Sequence, residues 1–157
     1  MAFDVNNPYF RTKVMTATPE QLRMLLLEGA LQFMRDGRDG LASKNYEKSY
    51  EGLSQAKAII MELINALRPE VDPELCSRLQ SLYVYIYRLL TEGSFEKDLK
   101  KIDEAIELMD YERETWGMLI EKIASEKKSA GAAAPRTAVP SPEGKPSSTG
   151  SSISISA

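Results

Sequence analysis

The side chains that most often carry catalysis are scarce in this chain. It has no histidine and a single cysteine, Cys76. Without imidazole there is no histidine general acid or base, no histidine metal ligand and no phosphohistidine. One thiol cannot build a thiolate metal site or an intrachain disulfide. Four carboxylates, Asp103, Glu104, Glu107 and Asp110, stand close together. A carboxylate-bridged metal pair among helices needs Glu-x-x-His, so these four read as a solvated helix face. An isomerase pocket between helices would need arginines and a carboxylate pointing inward. On a 100° wheel Arg23, Arg35, Arg88 and Arg113 fall outside or beside the apolar stripes. The residues predict no enzyme, no cofactor and no metal.

What the chain does offer is apolar surface, and helices must position it. Thr18-Pro19-Glu20-Gln21 is a helix start: a hydroxyl cap, proline at the first helical position, and a glutamine placed to close a capping box. The period predicts a helix from Pro19 to about Asp39, with Gly37 and Gly40 as left-handed stops. A second helix runs from the Asn45 cap to about Leu67, where Arg68-Pro69 ends it. Asp72-Pro73 opens a third, carrying Leu75, Leu79, Leu82, Tyr83, Ile86 and Leu90 to a stop at Gly93. A fourth runs from Asp98 to about Lys127 with Leu99, Ile102, Ile106, Met109, Trp116, Ile120 and Ile123 inward. No segment alternates with period two. The expected fold is all-α, an antiparallel four-helix bundle over residues 18–127. Residues 1–17 form an irregular arm, in which Asn6-Asn7-Pro8 reads as a turn. Residues 128–157, rich in Ser, Ala, Pro and Gly with half of the eight prolines, form a disordered tail.

Each helix carries more apolar residues than one buried stripe needs. With Leu22, Leu26, Gly29 and Phe33 inward on the first helix, Met24, Leu27, Leu31 and Met34 point away. The corresponding outliers are Ile59 and Leu63 on the second, Val84, Tyr85 and Tyr87 on the third, and Leu108, Tyr111, Met118 and Leu119 on the fourth. Tyr83 faces inward; Trp116 is either core or the border of a groove. Surplus apolar surface on a small domain marks a partner site or an oligomer contact, and methionines suit a surface that adapts to its partner. The arm residues Tyr9, Phe10, Val14 and Met15 either pack loosely on the domain or take part in docking. On this reading an amphipathic helix of another protein lies in a groove between helices. Self-association as a weak homodimer is the alternative.

Composition bounds the partners. The 157 residues are 43% hydrophobic and 27% charged, with net charge −3, so nothing marks a nucleic-acid partner. No apolar run is long enough for direct membrane insertion, and the N-terminus lacks the pattern of a signal peptide, which leaves the cytoplasm as the expected compartment.

Four strings in order resemble the flagellar secretion chaperone FliS family. They are Tyr9 with Val14 and Thr16-Ala17-Thr18-Pro19, running on through Leu22, Met24-Leu25 and Glu28-Gly29-Ala30; Ala56 to Leu63; Leu82 to Leu90 with its Leu-Tyr-x-Tyr; and Arg113-Glu114-Thr115-Trp116. The resemblance spans about residues 8–125. It implies an antiparallel helical bundle in the bacterial cytoplasm that binds the C-terminal segment of flagellin, prevents premature polymerisation and aids delivery to the export apparatus. It also associates the arm tyrosine, here Tyr9, with the binding region. The export gate and other flagellar regulators stand as further candidate partners. The chain departs from the family at Leu26-Leu27-Glu28-Gly29, where an aromatic is usual, and in its longer tail.

Overall fold

The computed structural model describes residues 6–138, and the described residues are all-helical. There are five helices where the sequence predicted four: α1 (Pro8–Met15), α2 (Pro19–Ala42), α3 (Tyr46–Asn65), α4 (Pro73–Glu96) and α5 (Leu99–Ala138). The extra helix lies in the segment expected to be an irregular arm. Asn7-Pro8 is not a bare turn but a third cap-then-proline start. The Asn7 side chain accepts from the Tyr9 amide at 2.9 Å, and Pro8 follows where its missing donor costs nothing. Its short length left too few residues for a period to show. Phe10 is its one buried side chain.

The other starts form as the sequence predicts. Thr18 and Gln21 close a reciprocal capping box, with bonds of 3.1 Å each way. Asn45 and Asp72 cap α3 and α4. The stops differ. Gly37, Gly40 and Gly93 do not end helices; they lie buried within α2 and α4. The left-handed positions belong to Lys44 and Lys97, with φ of 62° and 56°. After α2, Asn45 N donates to Gly40 O at 2.8 Å and Lys44 N to Leu41 O at 3.2 Å, the paired bonds of a Schellman ending. After α4, Asp98 N donates to Gly93 O at 2.9 Å.

The glycines serve close approach instead. A Cβ on Gly52 would stand 2.6 Å from Gly37 N, and one on Gly40 would stand 2.5 Å from Ser49 N. So α2 and α3 touch backbone to backbone, antiparallel. Gly93 against Ile102 and Tyr83 against Glu112 run α4 antiparallel to α5. Arg38 with Asp103, and Trp116 with Glu20, run α5 antiparallel to α2. Lys57 of α3 meets Tyr87 of α4.

The core is Leu27, Ala30, Leu31, Met34, Leu41, Leu53, Ala56, Ile60, Leu63, Tyr83, Ile86, Leu89, Leu90, Ile102, Ala105 and Met109. The expected inward stripe of α2 is therefore corrected by rotation. Leu27, Leu31 and Met34, taken as outward, are fully buried, while Leu22 is exposed and Leu26 and Phe33 are half-buried. Leu63 of α3 is likewise core, and Tyr46 and Tyr50 of the same helix are exposed. Two apolar stripes on one helix give a wheel no phase.

The chain divides after Met118. Helices α1 to α4 and the start of α5 form one compact unit, and α5 from Leu119 onward belongs to a second. In the second, Leu119 is exposed while Ile120 and Ile123 are half-buried. Helix α5 continues past the expected end at Lys127 to Ala138, with alanines at 130 and 132–134 favouring it and Gly131 and Pro135 opposing it. The rest of the expected tail, 139–157, lies outside the described residues.

Candidate partner-binding surface

The residues expected to meet a partner fall into three groups. Leu27, Leu31, Met34 and Leu63 are core and unavailable. Val14, Met24, Ile59, Tyr87 and Leu108 are half-buried. Among these, Ile59, Tyr87 and Leu108 pack on the core, and Met24 sets its methyl against Gly117. Tyr9, Val84, Tyr85, Tyr111 and Met118 are exposed; Tyr9 at 77%, Tyr111 at 71% and Met118 at 65% are open to water along most of their surface. Leu108, Tyr111 and Met118 fall within one outward arc of α5, spaced three and seven residues apart. On α4, the Tyr85 hydroxyl donates to Glu104 Oε2 at 2.7 Å, which pushes its pKa up and keeps the phenol neutral.

Helix α1 lies over a groove of about 510 Å³. Tyr9, Phe10 and Lys13 line it from α1, Leu25 and the edge of the buried Leu31 from α2, and Arg113 from α5. Only Tyr9 and Leu31 of the predicted residues meet there. A second cleft of about 360 Å³ opens at the start of α2, between Leu22, Leu26, Leu63, Ala66 and Trp116. Trp116 is thus both packed on the core and part of a cleft wall, and its Nε1 donates to Glu20 O at 3.0 Å.

The sequence placed Arg23 beside the apolar stripe, but the structure turns it inward. Arg23 Nη2 donates to the Tyr83 hydroxyl at 2.7 Å, and that hydroxyl donates to Glu112 Oε2 at 2.8 Å. The Arg23 guanidinium also faces the Trp116 ring at 5.1 Å. Burial lifts the Glu112 carboxyl above its usual range, opposed by the Tyr83 hydrogen bond and the Arg23 charge. Burial also raises the Tyr83 phenol. This chain of bonds joins α2, α4 and α5. Wheel reasoning missed it because an arginine at a stripe edge reaches inward only when a partner such as Glu112 waits there.

Among the described residues no group of three acidic, histidine or cysteine side chains is placed to hold a metal ion. No helix there is long and apolar enough to cross a membrane.

The family profile described as "Flagellar protein FliS" matches residues 1–123. The Flagellar secretion chaperone FliS of Bacillus subtilis is 28% identical over 130 residues, 81% of this chain and 96% of that protein. The protein of the same name from Salmonella typhimurium is 30% identical over 112 residues, 71% and 83% of the two chains. That of Campylobacter jejuni is 27% identical over 110 residues, 70% and 86%. The matched span covers α1 to α4 and α5 as far as Ile123, so the chain belongs to the FliS family of flagellar proteins.

Proposed function

We propose that this protein is a cytoplasmic export chaperone, not an enzyme, that binds the C-terminal segment of flagellin, prevents its premature polymerisation and aids its delivery to the flagellar export apparatus. The observation that carries the reading is the exposed apolar surface of Tyr9, Tyr111 and Met118, with Val84 close to half exposed, around a helical core already complete without them. Covering a large apolar side chain is worth about 1.5–3 kcal/mol. Three or four such contacts offset part of the ordering cost of an unfolded segment, and holding that segment suppresses its self-association by mass action. The export gate and other flagellar regulators are further partners on this reading.

Helix α1 acts as a displaceable cover. Eight residues are too few for a stable helix in water, so α1 depends on Phe10 for its place. A partner helix that takes the groove releases it.

The test is titration of the full chain with a flagellin C-terminal peptide, read by light scattering and hydrogen exchange. A one-to-one complex protecting α5 around Tyr111 supports the reading. A concentration-independent homodimer indifferent to the peptide, or an identical exchange footprint with and without it, refutes it. Deleting residues 1–13 should raise affinity; unchanged or weaker binding removes the cover.

A further inference from the structure

The seam between α3 and α4 takes no part in the function proposed above. Lys57 of α3 stands over the Tyr87 ring at 5.4 Å and donates to Thr91 Oγ1 at 3.4 Å. Lys97, at the end of α4, stands 4.9 Å over the ring of Tyr46 at the start of α3. These contacts fix the register of the pair. Tyr46 and Lys57 are eleven residues apart on α3, about 16 Å or three turns. Tyr50, one turn on from Tyr46, comes level with Phe95, one turn on from Thr91. Between the two lysines, then, lie two aromatic side chains open to water: Phe95 is 88% exposed and Tyr50 69%.

Neither ammonium is paired with a carboxylate among the described residues; each rests on an aromatic face. Such a contact at an exposed site is weak and leaves the cation free to accept a stronger partner. The charge pattern selects the occupant. A second copy would lay two lysines against two lysines, which is repulsive. A helix with carboxylates at matching positions would be attracted at both ends while its apolar stripe covers the rings between them.

We propose that the α3–α4 seam docks an acidic amphipathic helix of another polypeptide, with carboxylates about three turns apart meeting Lys57 and Lys97 and an apolar stripe covering Tyr50 and Phe95.

The test uses two synthetic helical peptides of about five turns with the same leucine stripe. One carries glutamates three turns apart; the other carries lysines at those positions. Each is titrated into the full chain by fluorescence anisotropy at about 0.15 M salt. The glutamate peptide should bind at least roughly tenfold more tightly, and the Lys57→Glu, Lys97→Glu double variant should reverse that order. Phe95→Ala should weaken the glutamate peptide by roughly tenfold while the far-ultraviolet spectrum stays unchanged. Equal affinity for the two peptides, or a preference that survives in the double variant, overturns the proposal. So does a dimer of the chain alone that Phe95→Ala abolishes, since a second copy would then own the seam.

Discussion

The same substitution, glycine to alanine within a helix, should have opposite signs at two positions. At Gly52 the new Cβ would stand 2.6 Å from Gly37 N, 2.7 Å from Phe33 O and 2.8 Å from Gly37 Cα. All three are backbone atoms, which no rotamer change can move aside. Ordinary contact needs about 0.7 Å more, so α2 and α3 must part by that amount along their closest line. A gap of that size forfeits a quarter to a half of each dispersion contact along the seam. Overpacking of this kind costs about 3 kcal/mol, and alanine returns about 1 kcal/mol of helix propensity, leaving a net loss of about 2 kcal/mol. At Gly117 the Cβ would meet only the methyl of Met24 at 3.3 Å. That is the far end of a flexible, half-buried side chain, so the propensity gain of up to about 1 kcal/mol should survive. Thermal unfolding followed by circular dichroism should show Gly52→Ala melting about 4–8 °C lower and Gly117→Ala as much as 2–4 °C higher. Equal shifts in the same direction would refute the argument that backbone contact, and not helix propensity, decides the sign.

Tyr83→Phe removes the hydroxyl that joins Arg23 to Glu112 and leaves the buried carboxyl and the half-buried guanidinium each short of a partner. It should cost about 1–3 kcal/mol in urea unfolding. The Glu112 carboxyl, lifted by burial, keeps its proton in the folded state at pH values where the unfolded chain has released it. Its contribution to stability is therefore complete below the ordinary glutamate value of about 4.3 and lost as pH rises through the higher folded value. Chemical unfolding across that window should show stability falling more steeply with pH for the natural chain than for Glu112→Gln, which cannot ionise. Tyr111→Ser and Met118→Ser remove exposed side chains outside the core and should change stability by no more than about 0.5 kcal/mol. Both should weaken binding of the flagellin segment by roughly tenfold or more in calorimetric titration.

The sequence announced the helices more clearly than their faces. Thr18-Pro19, Asn45 and Asp72-Pro73 mark starts because a cap is a local bond between neighbours, and each forms as its residues dictate. Asn7-Pro8 has the same form, and reading it as a turn cost the prediction a helix. Glycine misled in the opposite way. Gly37, Gly40 and Gly93 look like stops, yet a left-handed ending can be held by a lysine at a cost of about 1–2 kcal/mol, as Lys44 and Lys97 do. The glycines are committed to a long-range demand that no local window contains.

That demand also bears on the error on α2. The helix has apolar residues on two sides, so periodicity yields a wide arc and no phase. Gly37 and Gly40 share the wheel side of Leu26 and Phe33, which meets α3 backbone to backbone, while Leu27, Leu31 and Met34, about 100° round the helix, are core. The surplus is smaller than the wheel suggested, because Leu27, Leu31, Met34 and Leu63, counted in it, are core. If one stripe of α2 is core, the other must lie toward its edge, as the half-buried Leu26 and Phe33 and the exposed Leu22 do. On the function proposed above, Tyr111 and Met118 stay apolar at the surface because a partner covers them part of the time.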